Sequence, residues 1–153
     1  MSYRPVTCKG SFRNVAGCLL TPILGQYYVL IIRNRRGNWM LPGGMVDEQD
    51  KRADHPCFRT LEREFGEELG FPMPGLTLLD QYAYHERTLI TIASFNVNDL
   101  QTFQPNNEAT EAKLVEIAIL IRNGFTEPPF EGYVRRSFLE MAQAGKFDRF
   151  LKS

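Results

Sequence analysis

Apolar positions along this chain fall into runs of two kinds. Residues 14–20 (NVAGCLL) and 26–33 (QYYVLIIR) are almost continuously apolar and β-rich, separated by the turn-like TPILG. Unbroken apolar runs of this length predict strands covered on both faces, not a sheet with one wet side. NRRGN (34–38) reads as a tight turn leading into WMLPGGMVDEQD. From residue 54 the period changes: Phe58, Leu61, Phe65 and Leu69 recur at helical spacing, with Asp54 or His55 as cap, Pro56 in the first turn and Gly70 as the stop. Two more strands are predicted near 76–84 and 89–97, joined by a short loop. A polar loop then leads to the apolar run KLVEIAIL (113–120), read as a further strand. After TEPPFEG, residues 133–145 read as a last helix ending at Gly145. This order predicts an α/β sandwich with a mixed sheet.

Composition narrows the partners. The 153 residues carry 18 basic and 18 acidic side chains, so no single-sign field draws in a polyanion, and nucleic-acid or membrane-surface binding is disfavoured. The length suits one domain over 1–153. No apolar run reaches membrane-spanning length, and MSYRPVTCKG lacks the apolar core of a signal peptide. The cysteines, Cys8, Cys18 and Cys57, are odd in number with no CxxC pair. Cys18 and Cys57 read as small buried hydrophobes, which points to a reduced, cytoplasmic setting. His55 and His85 have no metal-ligand spacing.

The chemistry concentrates in REFGEELGF (63–71). At about 100° per helical residue, Glu67 and Glu68 fall about 60° and 40° to either side of Glu64. All three therefore leave one face, while the apolar stripe lies roughly a quarter turn away. Such a face is either solvated acid or a site for a hard divalent cation, which prefers carboxylate oxygens. The upstream LPGGMVDEQD decides between them, because two glycines after a strand let backbone approach a ligand closely.

Together the two segments resemble the signature of the Nudix hydrolases. In that family a Gly is followed after five residues by Glu, then after seven by Arg-Glu-aliphatic-x-Glu-Glu-x-Gly-aliphatic. Arg63, Glu64, Phe65, Glu67, Glu68, Gly70 and Phe71 match the second half, with aromatics at the aliphatic positions, and W-x-L-P-G-G (39–44) is also family-like. The first half departs. Asp50 stands where the family has Glu, and twelve residues (51–62) separate it from Arg63, an insertion of about one and a half helical turns. Asp50 or Glu48 is expected to replace the missing Glu. For the inserted loop 50–56, a substrate lid and a tolerated surface insertion both stay open.

The resemblance implies a Nudix-type α/β/α sandwich that hydrolyses a nucleoside diphosphate linked to X. It implies Glu64, Glu67 and Glu68 as ligands of Mg²⁺ (or Mn²⁺), Arg63 as the residue orienting them, and Glu108 (over Glu111) as base or extra ligand. Gly43, Gly44 and Arg33 are expected to meet substrate. The loop and helix are locally similar to the ADP-ribose pyrophosphatase branch, so ADP-ribose or an ADP-sugar is the first expectation. A house-cleaning nucleoside-triphosphate pyrophosphohydrolase and a non-catalytic nucleotide-binding module are the alternatives. Arg13, Arg33, Arg35, Arg36 and Arg87 are phosphate candidates, and Trp39, Tyr27, Tyr28 and Tyr84 are base-stacking candidates. The fold often dimerises, so a homodimer is possible.

Overall fold

The computed structural model describes residues 12–151; Cys8 and the whole of MSYRPVTCKG therefore lie outside the described residues. β1 (Asn14–Ile23) and β2 (Gln26–Arg33) form a hairpin closed at Leu24 and Gly25, both with positive φ. The expected turn at 21–25 is thus only its tip, because Thr21, Pro22 and Ile23 stay paired with Tyr28, Tyr27 and Gln26. Beyond Leu20 and Val29 the two strands part. Short strands β3 (Trp39–Met40) and β4 (Gly43–Met45) fill the wedge, β3 pairing with the end of β2 and β4 with the start of β1. A run that reads as loop in the sequence is thereby built into the sheet. Gly43 and Gly44 sit opposite Ala16 and Val15.

Helix α1 (Pro56–Leu69) follows a 3₁₀ turn at Asp50–Arg52 and ends at Gly70, whose left-handed φ of 81° lets its N–H reach the Gly66 carbonyl. β5 (Thr77–Tyr84) and β6 (Thr88–Ser94) pair antiparallel, and β6 runs parallel to β1 from Asn14↔Thr88 to Leu20↔Ser94. The expected strand to residue 97 stops at Ser94, where Asn96 accepts from the Asn98 N–H and starts a 3₁₀ turn. The run 113–120 divides. β7 (Glu111–Glu116) lies along β2, and α2 (Ile117–Arg122) begins where that ladder ends. Ile117 and Leu120 are both buried, and their spacing suits a helix face. Helix α3 (Gly132–Gln143) closes the fold.

The seven strands form one mixed sheet with a core on each face. Val15, Leu19, Leu30 and Ile32 point to α1 and pack with Leu61, Phe65 and Leu69. Cys18, Leu20, Val29 and Ile31 point the other way, toward Leu120, Phe125, Phe138 and Met141 of the α2–α3 layer. Alternation along each strand feeds both cores, as the unbroken apolar runs predict. Burial raises the Cys18 thiol to about 12. Cys57 is buried on α1 but is disulfide-bonded, which corrects its reading as a plain apolar thiol and removes that support for a reduced compartment. Among the described residues no helix is long and apolar enough to cross a membrane.

Candidate active site

The site begins with Asp50. This carboxylate is 1% exposed and takes four hydrogen bonds: from the Asp47 N–H (3.1 Å), the Thr60 hydroxyl (2.8 Å), and Arg63 Nε and Nη2 (3.2 and 2.8 Å). Burial opposes its charge, but these donors prevail and hold the carboxyl at about 2. Glu48, the other candidate for the missing motif Glu, is exposed and pairs with Lys51. Asp50 therefore fills the role. Asp50 opens the 3₁₀ turn Asp50–Arg52, the Ala53 N–H donates to its carbonyl, and its carboxylate meets Thr60 and Arg63. None of residues 50–56 lines the cavity described below.

Arg63 is the hub of the cluster. The Asp50 hydrogen bonds raise its proton affinity further, so it stays cationic. Its Nη2 also donates to the Met45 carbonyl at 2.9 Å, tying α1 to the end of β4. Its Nη1 faces Glu64 at 3.1 Å and Glu67 at 3.4 Å. Arg63 thus contacts two of the three acidic-face carboxylates, Glu64 and Glu67.

The carboxylates meet the glycines. The Gly43 N–H donates to Glu68 Oε1 at 2.9 Å. Gly43 has φ 154°, and a Cβ there would lie 2.1 Å from the Val15 carbonyl oxygen; a Cβ at Gly44 would lie 2.3 Å from the Glu64 carboxyl carbon. A side chain at Gly43 would press into the backbone of β1, and one at Gly44 would push the Glu64 carboxylate out of its place. Glu68 is 6% exposed, and burial first, then the Glu64, Glu108 and Glu67 charges, lift its pKa to about 9 against the help of the Gly43 N–H. Glu64 is also raised, by burial and by Glu67 and Glu108, despite Arg63. Glu67 is half exposed.

Glu108 joins this group through a residue the sequence reading missed. Asn106 donates to the Glu68 carbonyl at 2.8 Å, while its side-chain oxygen accepts from the N–H groups of Glu108 and Ala109 at 2.7 and 3.0 Å. Thr60 was missed as well. Asn-x-Glu in a polar loop and Thr in a helix are too ordinary in sequence to signal either bond. Glu111 pairs with Arg33 instead.

Among the described residues, no three His, Cys, Asp or Glu side chains already stand in a metal-holding arrangement. The donor set nevertheless suits a hard cation. Oxygen ligands dominate it, and burial, together with the neighbouring carboxylates, raises the proton affinity of Glu64 and Glu68.

A cavity of about 550 Å³ opens on the glycines. Its lining includes Gly43, Gly44, Tyr84, His85, Tyr133 and Arg136. Gly44, part of this lining, also lies against the Glu64 carboxyl, so cavity and acidic face adjoin. Of the stacking candidates only Tyr84 lines this space. Trp39 is buried under Lys113, and Tyr27 packs edge-on against Phe150. Arg33 is also elsewhere, held by the Gly37 carbonyl and Glu111, while Arg35 and Arg36 bond Asn107 and Glu131.

Several solved structures share this architecture. A Nudix hydrolase from M. smegmatis, RenU, superposes with a TM-score of 0.65 at 17% identity, over 94% of this chain and 91% of its own. The NUDIX domain of Shewanella oneidensis NrtR, solved with ADP ribose, gives 0.58 at 19% identity over 94% of both chains. A C. elegans Ap4A hydrolase gives 0.58 at 17% over 89% of this chain and 99% of its own. At these identities the likeness speaks for the fold. No curated protein sequence matches the chain. The NUDIX domain family model matches residues 11–135, a span that holds the Gly-Gly turn, Asp50, Arg63, the three glutamates and Glu108, and the chain belongs to that family.

Proposed function

We propose that this Nudix hydrolase cleaves the phosphoanhydride of a nucleoside diphosphate linked to X, with ADP-ribose or an ADP-sugar as the first substrate to test. The observation that carries the reading is the contact of Glu64 and Glu68 with the Gly43–Gly44 backbone, which itself forms part of the cavity wall. A diphosphate lying on the glycines would have the acidic face at one side and room for its organic half at the other. Glu64, Glu67 and Glu68 would hold the divalent cation, Mg²⁺ first and Mn²⁺ as substitute. When bound, that ion supplies neutralising charge on the phosphate oxygens and a lowered pKa for water. In the reaction a water oxygen bonds to one phosphorus, the bridging P–O bond breaks, and the departing phosphate keeps the electron pair. The proton released from water passes to a carboxylate, a role assigned to Glu108. Arg63 and Asp50 keep the face aligned, so catalysis is chiefly positioning and electrostatics.

The departure in the first half of the motif, with Asp50 for Glu and a longer spacing to Arg63, favours one alternative, a nucleotide-binding module without turnover. Product analysis separates the two. Purified protein with mM Mg²⁺ or Mn²⁺ is offered ADP-ribose, ADP-glucose, nucleoside triphosphates and diadenosine polyphosphates, beside Glu67→Gln. AMP and ribose 5-phosphate from ADP-ribose, falling on the order of 10²–10³-fold in the variant, are expected. Pyrophosphate from nucleoside triphosphates would instead select the house-cleaning reading. Ligand-induced stabilisation with no product from any substrate would leave the binding module.

A further inference from the structure

Cys57 fastens the start of α1. It is the second residue of the helix, 4% exposed and disulfide-bonded. The chain holds three cysteines, Cys8, Cys18 and Cys57. Cys18 is free and sits across the sheet, in the core shared with α2 and α3, while Cys57 belongs to the core under α1. That leaves Cys8 as the other end of the bond. Chain geometry permits the reach. Phe12 packs into the same apolar cluster as Cys57, and the four residues back from Phe12 to Cys8 can span up to about 14 Å.

The helix needs such a fastening. Among the described residues its first turn carries no acid, and its cap residue, His55, makes no side-chain hydrogen bond to the open N–H groups. Both devices that ordinarily hold a helix N-terminus are therefore missing. Yet the catalytic groups begin one turn further on: Thr60 and Arg63 grip Asp50, and Glu64, Glu67 and Glu68 follow. We propose that Cys57 is joined to Cys8, and that this bond is a covalent clasp standing in for the absent cap, so that alignment of the acidic face depends on its oxidation state. In forming it, the two thiols lose two protons and two electrons to a small-molecule disulfide such as oxidised glutathione, which departs as two thiols. A dithiol reverses the exchange. Burial of Cys57 confines that exchange to moments when the first turn opens. The clasp closes a loop of 50 residues (8–57), long enough for the bond to restrict the unfolded chain strongly.

The test begins with protein folded in a glutathione redox buffer, alkylated under denaturing conditions without reductant, digested and mapped by mass spectrometry. One alkylated cysteine, Cys18, and one cross-linked pair of peptides holding Cys8 and Cys57 are expected. Melting temperature and amide hydrogen exchange are then compared for the oxidised wild type, the dithiol-reduced wild type and Cys8→Ser. Loss of the bond is expected to lower Tm by at least about 5 °C and to speed exchange across residues 57–62 by at least about tenfold, with α3 changed less. The rise in Tm on adding Mg²⁺ is expected to shrink with it. Dithiol should leave Cys8→Ser unchanged, which traces the effect to this bond and away from Cys18. Three alkylated cysteines, a bond to Cys18 or a bond between two chains overturns the proposal. So does a Cys8–Cys57 bond whose loss leaves exchange in α1 unaltered, or speeds it equally in α1 and α3. Should Cys8→Ser not fold, wild type reduced after folding, with exchange followed from the addition of dithiol, carries the comparison. None of these readouts needs turnover, so the hydrolase reading stands or falls separately, on product analysis.

Discussion

The two sides of the Gly43–Gly44 turn are built on different principles. On the α1 side the atoms are over-determined: Asp50 takes four hydrogen bonds, Arg63 touches five neighbours, and Glu68 is pinned to backbone. On the α3 side the cavity wall comes from the β5–β6 turn and the first turns of a distant helix, and the Arg136–Tyr84 hydrogen bond is a slender tie between them. The contrast separates two tasks. Groups that handle reacting atoms need positions fixed to fractions of an ångström, as the α1 side offers, whereas a wall held by one hydrogen bond can change without endangering the scaffold.

Substitution can break that contrast, and the largest effect is expected at Asp50. Asp50→Ala removes the most buried partner of Arg63, which keeps Asp47, Glu64 and Glu67, and leaves Thr60 with the Pro56 carbonyl, so a loss of about 1.5–3 kcal/mol in urea unfolding is expected. A loss below about 1 kcal/mol would mean that water replaces the carboxylate and that the clamp is ornamental. The pH dependence has a definite sign. Because the folded-state pKa is lowered from 3.8 to about 2, Asp50 contributes stability above the higher value and loses it as pH falls through the lower.

Next in size is Gly44→Ala. Its Cβ would occupy the place of the Glu64 carboxyl, and displacement of that group is expected to reduce kcat/KM by about a hundredfold. Steady-state kinetics on the best substrate checks this, and unchanged kinetics would detach Glu64 from the glycine turn.

A smaller, graded effect follows from Glu68. Its pKa is raised from 4.5 to about 9, so the metal-free fold loses stability as pH climbs through that window, where the unfolded chain ionises first. A cation must displace the retained proton, so metal affinity is expected to rise with pH by up to about tenfold per unit. The increase in Tm on adding Mg²⁺ should therefore be larger near about pH 8 than near about pH 6, and Glu68→Gln should flatten the difference. A pH-independent increase would place the cation away from Glu68. Smallest of all is the stability cost of Arg136→Gln on the exposed cavity rim, expected to stay within about 0.5 kcal/mol. A larger cost would erase the contrast between the two walls.

The same division explains what could be read without a structure. The α1 side is local in sequence: Arg63, Glu64, Glu67 and Glu68 share one helix, and periodicity alone places them on one face. The alternating cores were legible too, because β1 and β2 are apolar on both sides. The wedge strands β3 and β4 were not, since two or three residues carry no periodicity. Nor was the break at Ile117, where an apolar run changes from strand to helix without a composition signal. Asp50 could be shortlisted with Glu48 but not chosen, because the choice depends on how residues 51–55 fold back. The cavity wall was least legible. Tyr133 and Arg136 lie far along the chain from Tyr84 and His85, and only the packing of α3 on the sheet brings them together.

Asn106 gives the acidic face something a surface loop ordinarily lacks. By bridging the Glu68 carbonyl and the Glu108 N–H, it keeps an exposed carboxylate within reach of the buried ones. Even a flexible tether of this kind supplies an effective concentration on the order of mM, and a hydrogen-bonded one supplies more. If Glu108 takes the proton as proposed, dissolved acetate or formate would have to exceed that local concentration before it could substitute for the side chain.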